Sequence, residues 1–309
     1  MTRFLRCPLC GNEKLQPLYG IAGQVIDECS GCALVFLNPQ PACPDEVLYA
    51  EPYYRGACAT KAGGQENVLD PARVERRLES CRGVLEILEE TLGGKGSMLD
   101  LGCGPGFLLK AAQEAGWEVT GADVSGFAAA YAREQFGIQE VYTGPLEGVE
   151  FQPASFDVVT VQHVIEHFRD PFTMVGRIRC WLKTEGILWI ETPDIDSGQA
   201  RREQAQWAHI KVPEHLFYFN ERTLRRLLTD HGFEVLTVRR EVAGTGLLKA
   251  ACGGQAEARR FYERFRGNPV FRRLVRTVRY ANELYRAWLK GESDVIRVLA
   301  RKVPIRVHR

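Results

Sequence analysis

No stretch of this 309-residue chain approaches the run of about 18 apolar residues that a membrane span needs. The opening residues, MTRFLRCPLCG, carry two arginines but no apolar segment of the kind a secretion signal requires. Charge of one sign is also missing: 40 Lys+Arg stand against 39 Asp+Glu, and a net charge of +1 leaves no global field for nucleic acid. There is no internal repeat or low-complexity tract. A composition 45% hydrophobic and 26% charged excludes collagen, coiled coil and disorder. These absences predict a cytoplasmic globular chain with material for roughly two domains.

The ten cysteines are too sparse for a secreted disulfide scaffold, and their distribution is uneven. Six (Cys43, Cys58, Cys81, Cys103, Cys180, Cys252) follow no spacing, whereas Cys7-x2-Cys10 and Cys29-x2-Cys32 form two C-x2-C turns 18 residues apart. Four thiolates so spaced predict a closed, structural zinc ribbon over residues 1–40, with Gly11 and Gly31 permitting the tight knuckles. The competing readings are a redox C-x2-C pair and plain buried thiols. Phe36-Leu37-Asn38-Pro39-Gln40-Pro41 then reads as the start of an extended linker reaching to about residue 68.

From Asp70 a helix is predicted, with Pro71 at its first position and Val74, Leu78, Cys81, Leu85, Leu88 and Leu92 on one face. After Gly93-Gly94-Lys95-Gly96 the pattern changes to alternating short strands and helices, the signature of a parallel sheet. Strands are predicted at 97–101, 117–123, 138–142, 156–162, 186–191 and 233–240. Helices are predicted near 106–115, 125–136, 171–183 and 221–231.

The first of these strands runs into Asp100-x-Gly102-x-Gly104-x-Gly106 and a helix, which is where an α/β sheet binds a nucleotide-like ligand. The loop differs from the dinucleotide fingerprint G-x-G-x-x-G, which suggests a ligand without a pyrophosphate. A second strand ends in Asp123, 21 residues after Gly102, about where a carboxylate meets a ribose diol. The bland alternative is turn chemistry, with an Asp capping the helix at Ser125.

At these residues the chain resembles the class I S-adenosylmethionine (SAM)-dependent methyltransferases, of the small-molecule, ubiquinone O-methyltransferase-like type. The resemblance runs over about 68–245 and the last strand, through Phe156–His167 with Asp170-Pro171, Gly186–Ile190 and Glu214–Phe219 with Gly232-Phe233. It implies a doubly wound seven-stranded sheet of order 3-2-1-4-5-7-6 with an antiparallel last strand. It also implies roles in binding SAM: Gly102, Gly104 and Gly106 beside the methionyl part, Asp100 near its ammonium, Asp123 on the ribose, Val124, Leu146 and Glu147 about the adenine, and Gln162 beneath the sulfonium.

Methyl transfer is an in-line displacement, so a base is needed only for a protonated acceptor. His163, His167 and His215 lie on segments that should open at the carboxyl end of the sheet, and His215 is the first choice as general base. His209 is ambiguous, His231 is explained by its helix end, and His308 lies in the tail. His163, Glu166 and His167 resemble a magnesium-binding pattern of the ubiquinone O-methyltransferases, but an acid stands there where this chain has His163. Such a set suits a transition metal better, and the competing reading is polar capping of the loop. Tyr53 and Tyr54 are candidates to close over cofactor or acceptor, or else packing aromatics.

The last 55 residues carry +10, leaving −9 for the rest. Phe271, Leu274, Val275, Val278, Tyr285, Trp288 and Leu289 share one helical face opposite Arg272, Arg273, Arg276, Arg279, Arg286 and Lys290. This is read as a helical cap over about 247–292, before a last strand at about 294–302. The basic face is either merely solvated or attracted to an anionic partner: a phosphorylated, nucleotide-linked or carrier-bound acceptor, or a peripheral membrane surface. The predicted domains are the ribbon, the linker and a methyltransferase domain over 69–309. The predicted function is methylation, at oxygen, of a small molecule such as a sugar or specialised metabolite. The alternatives are an RNA methyltransferase gripping RNA through the ribbon and basic helix, and a SAM-binding protein with a docking or non-methylating role. RNA is disfavoured because the fourth strand lacks [DNS]-P-P-[YFW] and the ribbon is not basic. Trp181, Trp189, Trp207 and the aromatic run near Phe217 leave room for a homodimer.

Overall fold

The computed structural model describes residues 2–41, 48–56, 67–240 and 294–304. The predicted cap and its basic face fall outside the described residues. The chain opens with β1 (Leu15–Ile21), β2 (Gln24–Cys29) and β3 (Val35–Leu37), followed by the short helix α1 (Glu51–Tyr54) and the long α2 (Pro71–Leu92). Alternation then sets in: β4 (Ser97–Leu101), α3 (Phe107–Ala115), β5 (Glu118–Asp123), α4 (Gly126–Phe136), β6 (Val141–Thr143), β7 (Phe156–Gln162), α5 (Pro171–Trp181) and β8 (Leu182–Pro193). The remainder is α6 (Gly198–Glu203), β9 (Phe217–Tyr218), α7 (Glu221–Asp230), β10 (Phe233–Arg240) and β11 (Val295–Lys302).

Helix boundaries follow local chemistry. The Asp70 carboxylate accepts the Ala72 N–H at 3.0 Å ahead of Pro71, and Asp170 caps α5 in the same way through Phe172 and Thr173. Asn220 and Thr223 close a reciprocal capping box on α7. The seven-stranded sheet has the order β10-β11-β8-β7-β4-β5-β6. Counted in chain order this is 3-2-1-4-5-7-6, with β11 antiparallel to both neighbours, as the resemblance implied. The fifth strand is longer than predicted: Leu182 already pairs with Phe156, and the ladder slips before resuming at Val158–Ile187.

Alternation along the strands splits the core into two layers. Met98, Ile187, Trp189 and Leu299 pack under α2 and α3 with Leu85, Leu88, Phe107 and Trp117. Leu99, Leu101, Leu188, Ile190 and Val298 face the other way, against α5 and α7. The N-terminal sheet joins this second layer: its order is β1-β2-β3-β9, so its fourth strand comes from the segment after His215. Ile26, Phe36 and Leu37 lie in one continuous core with Phe217, Leu224 and Leu227.

Two expectations are corrected here. Phe36 and Leu37 are not linker residues but a fully buried strand, because β9 supplies the pairing edge that their apolar run needs. Trp181, Trp189, Trp207 and Phe217 offer no surface to a second copy, since each is at most 2% exposed within the monomer.

Candidate active site and thiol cluster

The carboxyl ends of β4, β5, β7 and β8 converge on one edge of the sheet. The loop after β4 takes the left-handed conformation at Gly102, Gly104 and Gly106, at φ +70°, +52° and +83°. The reasons for glycine differ along the loop. A Cβ on Gly102 would lie 2.2 Å from Val164 Cγ2, and one on Gly106 2.9 Å from Ala132 Cβ, so these two let the β7 loop and α4 approach. Among the described residues a Cβ on Gly104 would meet only the Tyr54 ring, at 3.8 Å, so this is the least crowded position of the three.

Asp123 ties the loop down. Its Oδ2 accepts the Gly104 N–H at 2.7 Å and its Oδ1 the Ser125 N–H at 2.8 Å. Burial raises its pKa, and those two amides together with the Tyr54 hydroxyl oppose the shift. Three donors do not exhaust the roughly four acceptor positions of a carboxylate, so Asp123 is a turn lock with accepting capacity left over. The turn reading of Asp123 is met by these bonds, and it leaves the carboxylate available to a ligand. Asp100 is buried on β4, where Thr160 Oγ1 donates to it at 2.6 Å. Burial pushes its pKa up to about 7, with Thr160 pulling the other way and Asp123 adding to the rise.

Tyr54 is buried against the Phe127 ring at 5.9 Å, between Gly104 and Asp123, and Tyr53 stacks edge-on upon it at 5.2 Å. Leu146 and Glu147 lie in a 3-10 turn after β6, where Glu147 Oε1 accepts the Arg169 N–H at 3.2 Å. Val124 and Gln162 are half-buried at the ends of β5 and β7.

The three histidines occupy different electrostatic settings. His163, in the left-handed region at φ +54°, sits between two acids, Nε2 3.1 Å from Glu191 Oε1 and Nδ1 3.7 Å from Glu166 Oε1. Burial opposes its charge, but the two carboxylates outweigh that and raise its pKa to about 10. Glu191, also held by Arg297, falls to about 2 against its own burial, chiefly through the hydrogen bond from His163. His163 is thus an imidazolium with no lone pair to offer, which removes it from the candidate bases. Sequence reasoning missed Glu191 and Arg297, although an acid closing the apolar β8 was a readable signal.

His167 Nδ1 is 2.8 Å from the Glu214 carbonyl oxygen and 2.8 Å from Tyr49 Oη. A carbonyl only accepts, so Nδ1 carries a proton, and the ring turns its Nε2 toward Glu166. His215 is 4% exposed, its Nδ1 has no hydrogen-bond partner, and burial lowers its pKa well below the usual value. It is a neutral imidazole, stacked edge-on against His167 at 4.7 Å. His231 Nδ1 lies 2.7 Å from the Leu227 carbonyl at the end of α7, and His209 pairs with Asp294 at 3.2 Å, so both have structural partners.

At the other end of the chain, Cys7, Cys10, Cys29 and Cys32 bring four sulfurs within 4.8 Å of one another. The Cys7–Cys32 and Cys10–Cys29 separations are 3.5 Å, close to the edge of about 3.8 Å in a tetrahedral zinc–thiolate site. The Gly31 N–H points at Cys29 Sγ. In the first knuckle Gly11 takes the left-handed position as anticipated, but in the second Ala33 takes it and not Gly31. Gly31 is small for another reason: a Cβ there would lie 2.5 Å from Asn12 Nδ2.

A family model described as a methyltransferase domain matches residues 73–238, more than half of the chain. The chain belongs to the class I SAM-dependent methyltransferases. Among the methyltransferases it resembles is the ubiquinone biosynthesis O-methyltransferase of Actinobacillus pleuropneumoniae serotype 7, 31% identical over 135 residues, or 41% of this chain and 54% of that one. The enzyme of the same name from Idiomarina loihiensis is 36% identical over 117 residues, covering 36% and 47%. The chain therefore spans about half the length of these curated relatives. A solved SAM-dependent methyltransferase from Archaeoglobus fulgidus shares the fold at a TM-score of 0.50 and 20% identity, over 73% of this chain and 94% of that one.

The residues present fit SAM: two carboxylates at the ends of adjacent strands, one with lone pairs to spare, flank a loop that is open at Gly104. The magnesium pattern that the resemblance suggested does not fit. His163 is bound by two acids as a cation and cannot ligate, and neutral imidazole is a poor partner for magnesium in any case.

Proposed function

We propose that this methyltransferase transfers the methyl group of SAM to an oxygen of a small-molecule acceptor, such as a sugar or another specialised metabolite, and that its four N-terminal thiolates hold a structural zinc ion. The observation that carries the reading is the Asp123–Gly104 lock, which fixes a ribose-binding carboxylate against a glycine loop at the carboxyl edge of the sheet. Similarity to O-methyltransferases supports oxygen as the acceptor atom.

SAM, when bound, supplies an electrophilic methyl group on a sulfonium. Asp123 accepts from the ribose hydroxyls through the lone pairs that Gly104 and Ser125 leave free, and Asp100 takes the ammonium. Leu146 and Val124 cover the adenine, Gln162 lines the floor, and Tyr54 with Tyr53 screens the loop from water. His215, neutral at pH 7, is the residue able to accept an acceptor proton.

Asp100 makes binding depend on pH. Its carboxyl must ionise to hold the ammonium, so affinity for S-adenosylhomocysteine is expected to be constant above pH 8. It should fall by up to about tenfold per unit below a pKa of about 7. In the unliganded protein the sign runs the other way. A raised carboxyl pKa favours the fold most below the unfolded pKa, and that contribution is lost as pH rises through 7. Calorimetry at pH 6, 7 and 8 measures the first effect. Asp100→Asn should bind more weakly and flatten the profile; an unaltered profile in that variant would assign the proton elsewhere.

A further inference from the structure

Glu166, His167 and His215 form a second group of potential ligands, separate from the thiol cluster. One ligand atom from each lies within 4.8 Å of the other two. The segments that bring them together are pinned, because Leu216 and Phe217 both donate their N–H groups to the Glu166 carbonyl, at 2.8 and 3.1 Å. Glu166 is 1% exposed; its Oε2 accepts from Thr192 at 2.8 Å, while Oε1 is buried with no hydrogen-bond partner among the described residues. His215 Nδ1 is likewise buried and unpartnered. A buried polar atom left unsatisfied costs about 1 to 3 kcal/mol, so His215 Nδ1, beside a carboxylate oxygen that has no hydrogen bond of its own, calls for an occupant.

The third member points the same way. His167 donates Nδ1–H to the Glu214 carbonyl, which orients the ring and places Nε2 4.0 Å from Glu166 Oε1. A backbone carbonyl behind the distal nitrogen is the outer-shell arrangement of a metal-bound histidine. His163 stands outside the ligand set: Glu191 engages its Nε2 at 3.1 Å, and its Nδ1 lies 3.7 Å from Glu166 Oε1, beyond hydrogen-bond distance.

We propose that Glu166, His167 and His215 bind a divalent transition-metal ion of the zinc–cobalt–iron class. Two imidazoles and one carboxylate suit such an ion and disfavour magnesium or calcium. Coordination at about 2.0 to 2.2 Å requires the three side chains to draw together. The site stands independently of the methyl-transfer reading and revises one residue of it: with the ion bound, His215 is a ligand and not a base.

The test is cobalt(II) loading of the full-length chain after chelator stripping, read by metal content and optical spectrum. A thiolate site adds intense near-ultraviolet charge-transfer bands, whereas an imidazole–carboxylate site adds only visible d–d bands. The wild type should take up roughly two equivalents, with both signatures, if the ribbon fills one site and this cluster the other. E166Q and H167A should keep the charge-transfer bands and lose the second equivalent. Uptake of the thiolate-bound ion alone by the wild type, which depends on no variant folding, would overturn the proposal. So would two equivalents retained in folded E166Q and H167A. S-adenosylhomocysteine titration of the same samples reports separately on the methyltransferase reading, which fails if that ligand does not bind whatever the cobalt result.

Discussion

Cys29→Ser is expected to lower the stability of the whole chain and not merely to loosen its first 40 residues. Each thiolate is one of four supports of the proposed zinc ion, and zinc binding in such modules is folding free energy. Here the consequence extends further, because β3 lies between β2 and β9, and Leu37 N–H bonds the Leu216 carbonyl at 2.9 Å. Losing the ribbon strips β9 of its partner, exposes Ile26, Phe36 and Phe217, and loosens the segment that carries His215. A cost of at least about 3 kcal/mol, or a fall in Tm of roughly 6 to 12 °C, is expected from differential scanning calorimetry. Zinc content should fall by about one equivalent in parallel. An unchanged Tm would show that the thiols are only buried side chains.

Gly102→Ala and Gly104→Ala should separate the two roles of the glycine loop. Both place a side chain in the left-handed region, which costs about 1 to 2 kcal/mol. Gly102→Ala adds a Cβ 2.2 Å from Val164 Cγ2, next to His163, so the β7 loop must move. A total loss of about 3 to 5 kcal/mol is expected, with ligand affinity falling as a consequence of the displaced loop. Gly104→Ala meets nothing closer than the Tyr54 ring at 3.8 Å, so its stability loss should stay near the backbone cost. Its affinity for S-adenosylhomocysteine should nonetheless drop at least about tenfold, since the new methyl group occupies the face reserved for ligand. Denaturant melts and calorimetric titrations of the pair decide the matter. If Gly104→Ala bound normally, the open face of the loop would not be the ligand face.

What could be read from the sequence was local. Asp70-Pro71 and Asp170-Pro171 announced two helix starts within a residue, and the apolar face of α2 contains the expected Leu78, Leu85 and Leu88. The sheet order followed from a resemblance carried by several segments together. What could not be read was tertiary. Phe217–Tyr218 is too short to signal a strand alone, and it is one only because β3 pairs with it. The early start of β8 was hidden by Thr184-Glu185-Gly186, which reads as a turn, with Glu185 at φ +61°. The surroundings of the three histidines depend on neighbours distant in sequence: Glu191 for His163, the Glu214 carbonyl that orients His167, and the burial of His215. No spacing rule joins Glu166 to a histidine 49 positions later.

The central claim, a SAM pocket built on the Asp123–Gly104 lock, is tested most directly by calorimetric titration with S-adenosylhomocysteine and, separately, with NAD, on the wild type and on Asp123→Ala and Asp123→Asn. Saturable binding of S-adenosylhomocysteine alone is predicted, weakened by about 1 to 3 kcal/mol when the charge-assisted contacts are lost. Binding of NAD instead, or S-adenosylhomocysteine affinity indifferent to both substitutions, would contradict it.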